Sequence, residues 1–515
     1  MYLTQSLHRA VQQRPNQPMT VCGDRIHTSS ETGDRVARLA GALLGLGLGV
    51  GDRVGMLSLN SDRYHEYFFA TWWIGGVVNP LNTRWSAAEI AFALEDSQTT
   101  VLLVDDTFVP LLDEMRTLFP SLRAVVHCGD QPTPDGLLRY EDLVATAEPV
   151  EDLRVGGDTL AGIFYTGGTS GRPKGVMLTH LNLMTASLGS LAANHTAVAG
   201  GRALLSAPMF HLAALASWNG QNIAGGILVM LPSFEPAAAL RLIEEQRINS
   251  MLLVPTMIQM LLRHPEREIR DLSSITAIQY GASPISETLL RQAQRAFPKA
   301  DFVQGYGMTE AGPGLTSLSA DDHHAATRLN SAGRPMGHVE LRVVDDRGNE
   351  LPRGEVGEII ARGGNIMTGY WNRPEETAAA LRDGWLYTGD GGYMDEDGYL
   401  FVVDRLKDMI ISGGENVYST EVENALASHP DVVQCAVIGV PDDRFGERVH
   451  AFLVMKPGTS LTCDDVRAHA KKLIAGYKSP RSITIVEQMP VSPAGKILKR
   501  ELRRQFSDLA DRTAH

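Results

Sequence analysis

The sequence predicts an α/β protein with a large N-terminal part and a smaller C-terminal part. Three observations lead there. First, the chain has 515 residues, more than one ordinary domain of roughly 100–200 residues would hold. Second, short apolar runs alternate with amphipathic stretches through most of it, which is the pattern of parallel strands buried on both faces by crossover helices. Third, the texture changes near Gly337 to short runs separated by Asp/Gly turns, and changes back after Asp404.

The elements follow in order. Residues 34–46 carry helical spacing, 47–52 form a turn and 53–59 a buried strand. Residues 87–95 are helical, 100–104 a strand and 107–118 a helix, and the same beat returns at 236–246 and 250–254. Residues 338–344, 355–361 and 399–403 are strands of an antiparallel, barrel-like section, with turns at Asp346-Arg347-Gly348-Asn349 and Asp395-Glu396-Asp397-Gly398. Beyond Asp404, 420–428 and 463–473 read as helices and 432–440 and 451–455 as strands.

Composition narrows the function. Apolar residues make up 43% and charged residues 21%, which excludes a mainly disordered chain. The formal charge of −13 argues against nucleic acid as the partner. Residues 405–515 hold 16 Lys/Arg and 14 Asp/Glu, a net of +2, which leaves −15 on the rest. A slightly basic small part beside an acidic body suits a lid over an anionic ligand. Cys22, Cys128, Cys435 and Cys463 have no metal-binding spacing and read as free thiols of a reducing, cytoplasmic compartment. No signal-peptide core and no stretch long enough to span a bilayer is apparent, so no stable membrane insertion is expected.

Glycine is in excess, 50 residues, and its clearest concentration is Thr166-Gly167-Gly168-Thr169-Ser170-Gly171-Arg172-Pro173-Lys174-Gly175. The run follows an apolar strand at 160–164 and precedes 178–188, a stretch able to start a helix. Glycines let backbone N–H groups close on an anion, and the hydroxyls and Lys174 add donors, so the run has the composition of a phosphate cradle. It fits neither G-x-x-x-x-G-K-[ST] nor G-x-G-x-x-G.

This loop resembles the signature loop of the AMP-forming adenylate synthetases, a superfamily of acyl-CoA synthetases, peptide-synthetase adenylation domains and luciferases. The resemblance covers nearly the whole chain, most like a stand-alone acyl- or aryl-CoA ligase. It implies a large N-terminal domain (1–404) of two parallel-type α/β sheets plus a β-barrel-like subdomain. It also implies a small mobile α+β lid (405–515) hinged near Lys407. The implied reaction activates a carboxylic acid with ATP and Mg²⁺ to acyl-AMP and transfers the acyl group to CoA. An amine or a carrier protein stays open as the alternative acceptor. No carrier domain follows Lys496, so the acceptor is expected to be external. Self-association into a homodimer is left open.

Residue by residue, the resemblance implies these roles. Thr166, Gly167, Gly168, Thr169, Ser170, Gly171 and Lys174 cradle phosphate. Gln304-Gly305-Tyr306-Gly307-Met308-Thr309-Glu310 matches a second motif. There Tyr306 stacks on adenine, Thr309 meets the α-phosphate and Glu310, with Thr166, serves Mg²⁺. Gly281-Ala282-Ser283 faces the other side of the adenine. Asp390, in Trp385-Leu386-Tyr387-Thr388-Gly389-Asp390, accepts hydrogen bonds from the ribose hydroxyls. Arg405 contacts ribose or phosphate, and Gly413 and Gly414 help line the thiol's tunnel. Lys496 is the catalytic lysine, an ammonium between the attacking carboxylate and the α-phosphate. His211, in Pro208-Met209-Phe210-His211, sits near the acid. The small residues Ala213, Ala214, Ala216, Gly281, Ala282, Gly305 and Gly312 leave room for an aromatic, cinnamic or medium-chain acid. The pair His323-His324 is expected to be solvated loop with no metal.

Overall fold

The computed structural model describes residues 1–166, 173–194, 196–405, 408–412, 415–442, 444–491 and 497–513, with backbone only at 416 and 508–513. Among these, two large mixed sheets form the N-terminal body. The first has eight strands, in the order Gly369–Tyr370, Lys174–Thr179, Leu160–Thr166, Val77–Pro80, Arg53–Leu57, Val101–Val104, Ala124–His127, Leu138–Arg139. Every pairing from Leu160–Thr166 to Leu138–Arg139 is parallel. The second has nine strands and a parallel centre, where Ala277–Gly281 lies beside Asp301–Gly307 and pairs Gly281 with Gly305. Antiparallel strands Gly314–Leu318 and Arg334–Pro335 complete one edge.

One apolar cluster joins the two sheets through the helix Asp62–Trp73. Ser61 caps that helix by accepting from the Tyr64 N–H at 3.1 Å, and Asp62 adds a negative charge at its positive end. All twelve of its residues are buried, so its polar side chains must find partners inside the fold. Tyr67 donates to the Val54 carbonyl at 2.7 Å, and the Trp72 indole donates to the Ala161 carbonyl at 2.8 Å. Glu66 is held by Arg35 at 2.6 Å and Asp62 by Arg25 at 2.8 Å.

His65, on the same helix, accepts from the Trp218 indole at 2.9 Å, a bond that needs a neutral ring. Burial depresses its pKa from 6.5 to about 3. An unfolded chain therefore takes up a proton near pH 6.5 that the folded one refuses until about pH 3. The stability held above that upper pH is lost as pH falls through the window. At pH 5 the loss from this group is about 2 kcal/mol. The urea midpoint should thus drop more between pH 7 and pH 5 in the wild type than in His65→Gln. Equal drops would show that His65 does not set the slope. His180 and His450, each depressed to about 4 by burial, act in the same direction.

After the nine-stranded sheet comes an antiparallel half-barrel of five strands. It contains Val339–Val344, Gly357–Gly363, Trp385–Met394 and Leu381–Arg382, with Leu400–Arg405 on Trp385–Met394. The next strand, Ile410–Ser412, belongs to a different sheet, with Glu415–Val417, Gly446–Met455, Val432–Asp442 and Ser482–Ile485. Helices Ser419–Ala427, Cys463–Ala470 and Lys499–Thr513 accompany this last sheet. Ser419 donates its backbone N–H to Asp404 at 2.7 Å, tying the first of these helices to the preceding half-barrel strand.

The helix expected at 178–188 is His180–Ala193, with the strand Lys174–Thr179 ahead of it, antiparallel to Leu160–Thr166. Two expectations are corrected. Residues 107–118 are not one helix. Pro110, which has no N–H to give, sits in a 3₁₀ turn, Val109–Leu111, ahead of the helix Leu112–Leu118. His323 is not solvated. It is buried in the helix Ala320–Ala325 and hydrogen-bonded to the Tyr280 hydroxyl at 2.8 Å.

Candidate active site

The strands Leu160–Thr166 and Lys174–Thr179, on either side of the glycine-rich run, pair as an antiparallel hairpin, with Thr166 against Lys174 and Tyr165 against Gly175 at the base of the run. Tyr165 anchors that base, donating to Asp96 at 2.7 Å, and Asp96 also receives the Trp371 indole at 2.8 Å and Arg373 at 3.2 Å. The hairpin packs against the short turn Thr309–Ala311. Segment 367–371 stitches the two together, since Met367 donates to the Glu310 carbonyl at 2.9 Å and Trp371 to the Gly175 carbonyl at 2.7 Å.

Glu310 is buried, and its carboxylate accepts from the Tyr370 hydroxyl at 2.8 Å. The Lys174 ammonium lies 5.3 Å from the centre of the Tyr370 ring, within cation–π range. Burial and then the Glu310 charge push the Tyr370 phenol up, so it stays a donor. Tyr370 thus links the Lys174 ammonium to the Glu310 carboxylate, and sequence reasoning did not single it out. Its only local signal is an aromatic pair, Tyr370-Trp371, between Gly369 and Asn372.

A second group forms where the nine-stranded sheet meets the half-barrel. The Tyr306 hydroxyl donates to one oxygen of Asp390 at 2.7 Å, and Arg405 pairs with the other at 2.6 Å. Asp390 and Arg405 are cross-strand partners. Between the pairs Glu358–Gly391 and Ile360–Tyr387 the single residue Ile359 faces Thr388, Gly389 and Asp390. The strand bulges there, as strands beside sites often do. Gly389 takes φ +71°, the left-handed region that glycine enters without strain. Burial and then the Asp390 charge hold the Tyr306 phenol well above its ordinary value.

Gly281 and Gly305 sit side by side. A Cβ on Gly281 would lie 2.3 Å from the Gly305 carbonyl oxygen, so only glycine fits there. Ala282, next along, adopts φ +66° and is exposed, and Ser283 is half-buried. Gly307 faces Gly314, where a Cβ would lie 1.8 Å from the Pro313 carbonyl oxygen. Gln304 has a buried side-chain oxygen without a hydrogen-bond partner. Met308 and Thr309 open the Glu310 turn, Ala311 donating to the Met308 carbonyl at 3.0 Å.

His211 precedes the helix Leu212–Ala224, its ring 4.2 Å from that of Phe210. Asn60, which the sequence did not mark, rivets this segment. It accepts from the Met209 N–H at 2.8 Å and donates to the Ala207 carbonyl at 2.9 Å. The candidates Gly167, Gly168, Thr169, Ser170, Gly171, Lys407, Gly413, Gly414 and Lys496 lie outside the described residues.

The donor set suits magnesium. Among the described residues no group of three His, Cys, Asp or Glu is placed to hold a metal. Magnesium needs no such group, because it keeps waters and takes one or two carboxylates together with substrate phosphates. The Glu310 carboxylate, buried and joined through Tyr370 to the Lys174 side, is a carboxylate of that kind.

Comparison with known proteins gives a consistent result. Residues 7–371 match the model of the AMP-binding enzyme family and residues 421–496 that of the AMP-binding enzyme C-terminal domain. A feruloyl-CoA synthase of an Amycolatopsis species is 42% identical over 481 residues, 93% of this chain and 94% of that protein. The medium/long-chain-fatty-acid–CoA ligase FadD8 of Mycobacterium tuberculosis is 36% identical, over 98% of this chain and 90% of its own length. Among solved structures, the anthranilate CoA ligase AuaEII in complex with anthranoyl-AMP superposes with a TM-score of 0.92. It is 28% identical, covering 99% of this chain and 98% of that one.

Proposed function

Since the chain belongs to the AMP-binding enzyme family and is an AMP-forming acid–CoA ligase for an aromatic or fatty acid, we propose that its preferred acid is aromatic, of the hydroxycinnamic kind. The observation that carries this reading is the 42% identity to a feruloyl-CoA synthase across 93% of the chain. The small side chains Ala213 and Ala216 on the helix that follows His211 support it, because a flat ring needs width close to the carboxylate.

The reaction uses ATP, Mg²⁺ and CoA. A carboxylate oxygen of the acid attacks the α-phosphorus and pyrophosphate leaves; the CoA thiolate then attacks the acyl carbon and AMP leaves. In our reading the run from Thr166 to Lys174 holds the phosphates and Glu310 supplies oxygen to magnesium. Tyr306 and Gly281–Ser283 flank the adenine, and Asp390 and Arg405 take the ribose. His211 stands at the acid, and Lys496 stabilises charge at the α-phosphate. We also place the domain boundary at 404/405 with rotation near Lys407. Supporting this, Leu400–Arg405 ends one sheet and Ile410–Ser412 starts another. No described helix is long and apolar enough to cross a membrane. All four cysteines are unpaired, which supports a reducing, cytoplasmic location.

Pyrophosphate release tests the reading over cinnamic, benzoic, medium-chain and long-chain acids, with CoA thioester measured alongside. The expected order puts a hydroxycinnamic acid first in kcat/KM. A saturated fatty acid at the head of the panel would overturn it.

A further inference from the structure

Magnesium and the phosphates of a nucleotide reach a protein as one body, because the cation keeps phosphate oxygens among its ligands. The carboxylate and the ammonium that receive them must therefore stand at a fixed spacing. Here these groups, Glu310 and Lys174, lie on segments far apart in the chain, and one side chain touches both. The Tyr370 hydroxyl donates to Glu310 Oε1 at 2.8 Å, and the Lys174 ammonium lies 5.3 Å from the centre of the Tyr370 ring. Among the described residues no other hydrogen bond reaches the Glu310 carboxylate.

The backbone around Tyr370 fixes where that side chain starts. Gly369 and Tyr370 form a short strand, paired antiparallel with Met177 and Val176 on the strand that begins at Lys174. On either side of it, Thr368 donates to the Met177 carbonyl at 3.1 Å and Trp371 to the Gly175 carbonyl at 2.7 Å. The Tyr370 N–H goes to Thr377 Oγ1 at 2.9 Å, in the helix Pro374–Ala380. The phenol is thus held against Glu310 before any ligand arrives, which lowers the ordering cost of binding. A carboxylate can meet a cation through one oxygen or through both. With Oε1 engaged by the phenol, the other oxygen is the one left for the cation, and a single oxygen suits the strict octahedron of magnesium.

We propose that Tyr370 is a positioning residue for the magnesium–nucleotide complex. Its hydroxyl engages one oxygen of Glu310, so that the carboxylate meets magnesium through the other alone. Its ring seats the Lys174 ammonium on the phosphate side. The two contacts are separable, since the hydroxyl acts through magnesium and the ring acts through the ammonium. Hydrogen-bonding partners of metal-binding side chains set about 10–100-fold of metal affinity. This inference rests on the roles given to Glu310 and Lys174 above, and it holds whichever acid is preferred.

The test measures ATP binding by calorimetry without any acid, once with Mg²⁺ and once with EDTA, in wild type, Tyr370→Phe, Tyr370→Leu and Glu310→Gln. Tyr370→Phe keeps the ring and loses the hydroxyl. It should weaken binding about 10-fold in Mg²⁺ and leave binding in EDTA unchanged. Tyr370→Leu loses both contacts and should weaken binding in EDTA as well. In the Glu310→Gln background Tyr370→Phe should have no further effect. An equal loss with and without Mg²⁺ in Tyr370→Phe marks a merely structural role and overturns the proposal. So does no loss at all while Glu310→Gln abolishes the Mg²⁺ dependence. If Glu310→Gln leaves that dependence intact, the role assigned to Glu310 fails and this inference fails with it. A crystal structure of the wild type with Mg²⁺ and a non-hydrolysable ATP analogue needs no variant to fold. Glu310 should meet magnesium through one oxygen with Tyr370 on the other, and a carboxylate that binds through both oxygens overturns the proposal.

Discussion

Asp390→Ala should lower kcat/KM for ATP by on the order of 10²-fold while changing KM for the acid little. The carboxylate is buried, and its two oxygens already hold the Tyr306 hydroxyl and the Arg405 guanidinium. Hydrogen bonds to a charged group contribute about 1.5–3 kcal/mol each, so losing the two ribose contacts proposed for Asp390 accounts for the factor. The substitution also leaves the Tyr306 hydroxyl and Arg405 without this partner, so a lower melting temperature should accompany the kinetic loss. Asp390→Asn keeps the shape and should fall between the two. Initial rates over an ATP titration check this, and an unchanged ATP dependence would remove Asp390 from the nucleotide site.

The second large effect concerns Lys496. Lys496→Ala should slow adenylate formation by on the order of 10²-fold or more, as loss of a charge placed against the transition state does. Thioester formation from preformed acyl-AMP should be spared, because that step transfers no phosphoryl group. The residues on either side of the segment meet each other: Val491 and Ile497 form an antiparallel bridge, and Leu498 donates to the Pro490 carbonyl at 2.8 Å. Single-turnover measurements of the two half-reactions separate the outcomes. Equal loss in both would defeat the assigned role.

Much of the scaffold was legible because it rests on local rules. The strand at Val101–Val104 and the helix at Ala87–Asp96 follow directly from apolar runs and periodicity. The half-barrel follows from turns such as Asp395-Glu396-Asp397-Gly398 between short strands. What long-range pairing decides leaves no local clue along the chain. Lys174–Thr179, to which no strand was assigned from the sequence, is a strand because it has Leu160–Thr166 to pair with. Tyr370 matters through Glu310, sixty positions earlier, and Asp96 through Trp371, 275 positions later. His323 reads as surface until Tyr280 reaches its helix from the strand Ala277–Gly281. Asp390, Tyr306 and Arg405 could be named from their motifs, but their shared hydrogen bonds needed the folded geometry.

The bond from the Trp218 indole to the His65 ring has a spectroscopic consequence. Indole emission responds to the polarity and protonation of its hydrogen-bond partner. Trp218 is fully buried, bonded to an imidazole on one side and followed in the chain by Asn219. The helix after His211 therefore carries a built-in fluorophore tied to a titratable ring. Protonating His65 breaks that bond and should shift the emission without any label, and a Trp218→Phe difference spectrum would isolate the signal from the other five tryptophans.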